Sequence, residues 1–145
     1  MIATGDRSFA STIAAQLSEV LLELGDDDEA MRFATIARDT SSSDDVASQS
    51  GGRRVLARVL SRRRDHAAAE ALAREAVAIM GRTDSLEQHA RALIHLAHVL
   101  HDGARADEAL AAARQALGLY QQKGATFFVE RTQRLIDDWS GVPSG

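Results

Sequence analysis

The feature that most constrains this chain is a self-similarity at spacings of 39 and 40 residues. Leu56-Ala57-Arg58-Val59-Leu60 returns as Leu96-Ala97-His98-Val99-Leu100, 40 residues later. The alignment continues without a gap, so Ala69, Ala73 and Ala76 fall on Ala109, Ala113 and Ala116. A third copy begins at Leu17-Ser18-Glu19-Val20-Leu21, 39 residues before Leu56, and carries Ala30, Ala34 and Ala37 in register. Units of this length cannot each bury an apolar side alone. They must stack, and the chain becomes an array rather than a single closed core.

Apolar residues recur at helical spacing almost throughout. The pattern predicts seven helices: about Ser8 to Leu24, Asp27 to Arg38, a third ending near Arg63, His66 to Met80, Ser85 to His101, Ala106 to Gln122 and Ala125 to Trp139. Asp27 is the expected cap of the second helix and Ser43 or Asp44 of the third. Gly25, Gly81, Gly103 and Gly124 are read as helix stops. Gly51 and Gly52 would weaken the third helix by about 1 kcal/mol each against Ala, so a late start or a kink is expected there. The 45% apolar content is ordinary, but only 4% of residues are aromatic. Small side chains let helices approach closely, and the only proline is Pro143. Ser18, Ala57 and Ala97 would make room on each first helix, and Ala30, Ala69 and Ala109 on each second. Short loops make successive helices antiparallel neighbours.

A small residue on the first helix, an alanine twelve later and another seven after that describe Ser18/Ala30/Ala37, Ala57/Ala69/Ala76 and Ala97/Ala109/Ala116. This pattern resembles the tetratricopeptide repeat. Gly25 sits at the family's turn between helices, and Asp28-Glu29-Ala30 and Asp107-Glu108-Ala109 look like its second-helix start. The resemblance covers about residues 8–140. It departs from the family in repeat length, in lacking prolines at repeat ends, and in carrying Arg53 where a large apolar residue is usual. Asp44 to Gln49 and Ala73 to Ala78 are also similar to the long-repeat tails of large bacterial signalling proteins that carry cyclase or transcription-factor and ATPase domains.

The resemblance implies an all-α, right-handed superhelix of antiparallel hairpins. The expected organisation is an extension at 1–7, repeats at about 8–39, 44–81 and 84–122, a capping helix at 125–139 with Phe127, Phe128, Leu135 and Trp139 as its cover, and a frayed tail at 141–145. The expected function is protein–protein interaction or intramolecular regulation on the concave surface formed by first helices. The expected partner is a protein or peptide, with a homodimer or a missing parent domain as further occupants.

Charge and composition narrow the alternatives. A net charge of −4 argues against general nucleic-acid binding. The absence of cysteine removes disulfides and thiolate chemistry. No apolar run reaches the roughly 20 residues of a membrane span, and the start lacks a signal-peptide layout, so a cytoplasmic location is expected. No phosphate-cradling glycine loop or nucleophile elbow occurs, so no enzyme and no cofactor are expected.

Binding candidates are read from the exposed side of the first helices. Glu19 and Glu23 form an acidic strip; Arg54, Arg58 and Arg62, spaced by four, form a basic one; Arg91, His98 and His101 continue the surface. Such arginines can clamp carboxylates of an acidic peptide. The plainer reading is that Glu19 and Glu23 pair with them across neighbouring helices. A rival reading takes the same stripe, with Arg63 and Arg64, as a phosphate contact for nucleic acid. His95, His98, His101 and Asp102 invite a metal site, but His95 and His101 point about 240° apart on a helix, so none is expected. Asp26 to Glu29 reads as helix capping. Phe9, Ile13 and Leu17 have no preceding helix to cover them, so self-association or docking on an upstream domain is expected.

Overall fold

The computed structural model describes the backbone of residues 4–141, with side chains from Ala10 onward. The first residues of the expected extension, the Phe9 side chain and the tail from Val142 lie outside the described residues. Seven helices make up the described chain: α1 (Thr4–Glu23), α2 (Asp27–Thr40), α3 (Val46–Arg62), α4 (His66–Gly81), α5 (Leu86–Asp102), α6 (Ala106–Lys123) and α7 (Thr126–Ser140). No strand occurs among the described residues. α1 starts at Thr4, earlier than the Ser8 boundary expected.

Each hairpin turns in the same way. The residue in the left-handed region is Gly25 (φ 81°) in the first hairpin, Arg64 (φ 66°) in the second and Ala104 (φ 62°) in the third, all at one repeat position. The amide that follows donates five residues back: Asp26 to Leu21 at 3.0 Å, Asp65 to Leu60 at 3.0 Å and Arg105 to Leu100 at 2.9 Å. This closes the last turn of each first helix and satisfies a carbonyl that would otherwise be orphaned. Gly103 ends α5 as expected, but keeps φ at −83° and leaves the left-handed place to Ala104. The caps also fall one or two places from expectation. Asp26, not Asp27, accepts from the Glu29 amide, and Asp45, not Ser43 or Asp44, accepts from the Ser48 amide. A cap carboxylate has to reach the amide three residues on, which fixes the position.

α1, α3 and α5 lie side by side in one layer. α2 is wedged between α1 and α3, and α4 between α3 and α5, in the other layer. α6 packs on α5, and α7 packs on α6. The in-register alanines carry this arrangement: Ala30, Ala34, Ala37, Ala69, Ala73, Ala76, Ala109, Ala113 and Ala116 are all fully buried, as are Ser18, Ala57 and Ala97. Leu56 and Val59 of α3 fill the space beside Ala30 and Ala34, and Leu96 and Val99 of α5 do so beside Ala69 and Ala73.

α3 runs through Gly51 and Gly52 without a late start. The reason is steric. A Cβ at Gly52 would stand 2.6 Å from the Ala34 carbonyl oxygen and 3.0 Å from the Arg38 nitrogen. Gly52 lets α3 pass against the backbone of α2, and the packing offsets the weak helix propensity.

Candidate functional site

The first helices and α7 enclose a groove of about 530 Å³. α3 packs directly on both α1 and α5, whereas α7 leans on α6 and reaches α5 through side chains, which leaves the gap. One repeat position faces the groove from all four helices: Glu19 in α1, Arg58 in α3, His98 in α5 and Asp138 in α7. α7 therefore continues the register as a fourth first helix. Arg131 stands 40 residues after Arg91, and Leu135 stands 40 after His95. Leu22, Ile94, Phe128 and Leu135 give the groove apolar walls. The rest of the lining is polar or charged, so the groove offers apolar contact beside groups that can fix the orientation of a bound segment.

Charge in the groove is unbalanced. Five arginines (Arg58, Arg62, Arg91, Arg131, Arg134) meet three carboxylates (Glu19, Glu23, Asp138) in its lining. Glu19 is already committed. It accepts from Arg54 Nε at 2.7 Å and stands 3.7 Å from an Arg91 nitrogen. Arg91 also pairs with Glu87 at 3.4 Å. Arg62 donates to the Leu22 carbonyl at 3.3 Å and pairs with Asp27.

Arg58 differs from all of these. It has no hydrogen-bond or ion-pair partner among the described residues, and its Nε is buried. Burial first, then the neighbouring Arg62, pushes its pKa down to about 10, so it keeps its charge at neutral pH. The Nδ1 of His95 is likewise buried without a partner. Burial, reinforced by Arg54 and Arg58, holds His95 well below the ordinary histidine range. His98 is pushed to about 3, by burial first and Arg58 next. Both rings are therefore neutral in the native protein, and the groove's positive charge sits on guanidinium groups. A buried N–H without an acceptor costs about 1–3 kcal/mol, so the groove presents an unmet donor beside excess positive charge.

The eight residues expected to bind a partner separate into groups. Glu19, Glu23, Arg58, Arg62, Arg91 and His98 line the groove. Arg54 does not join Arg58 and Arg62 in an exposed stripe. It is 4% exposed, bound to Glu19 and, through Nη1 at 3.1 Å, to Gln88. Its repeat position is occupied by Ala15 and Ile94 in the neighbouring helices, so the side chain enters the layer between first helices. His101 lies at the rim, stacked on Trp139 with ring centres 4.3 Å apart, while His98 meets the same indole edge-on at 5.2 Å. The pairing of Glu19 with arginines across helices occurs as the plainer reading has it; Glu23 makes no such bond. Asp102 accepts from Ser61 at 3.0 Å, and no three acidic or histidine side chains gather as a metal site among the described residues. His95 of α5, weighed in the sequence only as a metal ligand, also lines the groove, and reasoning that treats α7 as a cap alone misses Phe128, Arg131, Arg134 and Asp138. The signal that finds them is the 40-residue register of α7 on α5.

Residues 53–83 match the tetratricopeptide repeat. The matched segment is one hairpin, from the third turn of α3 through its left-handed turn and the whole of α4. It includes Arg54, Arg58 and Arg62. The match supports a tetratricopeptide-type repeat there, in an all-helical chain. Repeats of this family serve as scaffolds for contact between proteins. No relative among curated proteins matches the chain. No helix among the described residues is long and apolar enough to cross a membrane.

Proposed function

We propose that this chain is a protein–protein interaction module that holds an acidic segment of its partner in the groove of α1, α3, α5 and α7, with Arg58 as the anchor. The carrying observation is the buried Nε of Arg58, unpartnered in a groove where arginines outnumber carboxylates. A guanidinium fork matches a carboxylate in two parallel hydrogen bonds, and removal from water strengthens both. His95 Nδ1 can donate a further bond beside it, and the apolar walls take the aliphatic part of the bound segment. Arg54, Glu19 and Gln88 hold α1, α3 and α5 together beneath the site and keep Arg58 in place.

Nucleic acid is disfavoured by the same structure. Arg62 and Arg63 are spent on Asp27 and Asp28, so two of the three consecutive arginines are neutralised at the surface. The chain as a whole carries −4. In a larger signalling protein of the kind its repeats resemble, the bound segment would be an acidic stretch of a neighbouring domain, and the groove would serve regulation.

The test is selection from a phage-displayed library of random peptides, run in parallel on the chain and on Arg58→Gln. The chain should enrich Asp- and Glu-containing peptides that bind about tenfold or more tightly than to Arg58→Gln, the weight of one charge-assisted pair. Peptides with no acidic bias, or equal affinity for both proteins, would remove the groove assignment. Enrichment on Arg62→Gln should persist, because Arg62 is already paired.

A further inference from the structure

α1 carries a continuous apolar stripe on its outer side. Ile13, Leu17 and Val20 are 45%, 36% and 52% exposed, and their spacing puts them on one helix face; Leu24, just past the helix end, is 75% exposed. A lone exposed leucine is ordinary, but a contiguous stripe marks a surface meant to be covered.

The repeat register identifies what covers such a stripe elsewhere in this molecule. Leu17 corresponds to Leu56 and Leu96, both 5% exposed, and Val20 to Val59 and Val99, which are 0% and 2% exposed. Ile13 corresponds to Gly52 and Ala92, both buried. On α3 these positions pack on α2, with Leu56 and Val59 beside Ala30 and Ala34 and Gly52 against the Ala34 carbonyl. On α5, Leu96 and Val99 pack on Ala69 and Ala73 of α4. On α7, Ile136 packs on Ala112 and Ala113 of α6, with Trp139 beside them. One interface thus recurs three times: a first helix inserts the same positions into the alanine-lined second helix of the hairpin before it. α1 offers the same positions with no such helix against them among the described residues.

We propose that this stripe docks one more hairpin of the same repeat type, whose alanine-lined second helix takes the place on α1 that α2 holds on α3. The stripe is continuous in kind with the stack's own interfaces, which sets the chemistry of the occupant: an amphipathic helix with alanines four and three residues apart. A second copy of this chain cannot supply that helix. The alanine faces of its α2, α4 and α6 are already filled by α3, α5 and α7.

The chain contains no cysteine, so a single introduced thiol reports on the stripe without background. Maleimide labelling of Val20→Cys would be timed in the chain alone over a range of concentrations. It would also be timed in the full chain extended by a duplicate of residues 46–85 fused ahead of α1. The chain alone should label rapidly at every concentration, and the extended chain at least tenfold more slowly. Val59→Cys, which is buried, should stay protected in both proteins and so verifies that the native stack is intact. Ala111→Cys, which is exposed on α6, should label rapidly in both. Unchanged labelling of Val20→Cys in an extended chain that passes these controls would overturn the proposal. Protection of Val20→Cys in the unextended chain, rising with concentration and accompanied by a doubled mass in light scattering, would overturn it in favour of α1 pairing with α1 of a second copy.

Discussion

Replacing Gly52 by alanine sets two effects against each other, and the structure fixes which one wins. In an isolated helix the change would stabilise by about 1 kcal/mol, because alanine loses less backbone entropy than glycine. Here the new methyl would lie 2.6 Å from the Ala34 carbonyl oxygen, 3.0 Å from the Arg38 amide nitrogen and 3.2 Å from the Arg38 Cβ. Two of these three are backbone atoms of α2, which cannot swing away as a side-chain end can. Overpacking of a tight core costs about 1–3 kcal/mol, and a clash with rigid backbone belongs at the upper end. The expected balance is a net loss of about 2 kcal/mol, or about 6 °C in melting temperature for a chain of this size. Gly118 supplies the control. It lies within α6, and a methyl added there would meet nothing within 4 Å, so Gly118→Ala should gain about 1 kcal/mol and about 3 °C. Melts of the two variants followed by circular dichroism decide the matter. If Gly52→Ala melted as high as Gly118→Ala, the close α2–α3 approach would be refuted. The position of Arg54 and Arg58, which follow on the same helix, would then be in doubt as well.

Glu19→Ala should cost about 3 kcal/mol, because it strands the buried Arg54 guanidinium with Gln88 as its remaining side-chain partner; a urea midpoint equal to that of the parent chain would show that Gln88 and water satisfy Arg54 alone. Stability should fall as the solution is acidified below about pH 6.5. His95 and His98 are held neutral in the native state, His98 down to about 3, whereas in the unfolded chain they take up protons near their ordinary value. The unfolded state then binds more protons, and each ring removes about 1.4 kcal/mol per pH unit from pH 6.5 downward until its own native pKa is reached. Above about pH 7.5 their contribution is constant. Urea midpoints at about pH 7.5 and about pH 5.5 should differ clearly in the parent chain and by less in His98→Gln. A flat profile in the parent would contradict the burial of both rings.

The architecture was legible because stacking places the same demand at the same position in every repeat. Ala30, Ala69 and Ala109 are alike in sequence for the same reason that they are alike in burial. Where the repeats differ in sequence, single-position rules gave less. Gly103 does end α5 as its cap, yet the left-handed residue is Ala104, at the repeat position of Gly25 and Arg64. Gly51 and Gly52 looked like helix weakness because propensity is local, and the backbone of α2 that requires Gly52 is not. The site was legible in part. Helical spacing alone grouped Arg54 with Arg58 and Arg62, but whether a guanidinium meets solvent or the next helix depends on packing between repeats. Spacing also could not reveal that α7 completes the groove. The clue was Arg131 in register with Arg91, and Asp138 in register with His98.

The most direct test of the anchor is the side-chain Nε–H signal of Arg58 in nitrogen–proton correlation spectra, followed as an acidic peptide recovered from the library is added. The account predicts that this signal moves first and furthest, together with resonances of His95, His98 and Arg131, while α2 and α4 stay still; Arg58→Gln should abolish the response at the other groove residues. Shifts confined to the outer faces of α2, α4 and α6, with the Arg58 signal unmoved at saturation, would contradict it.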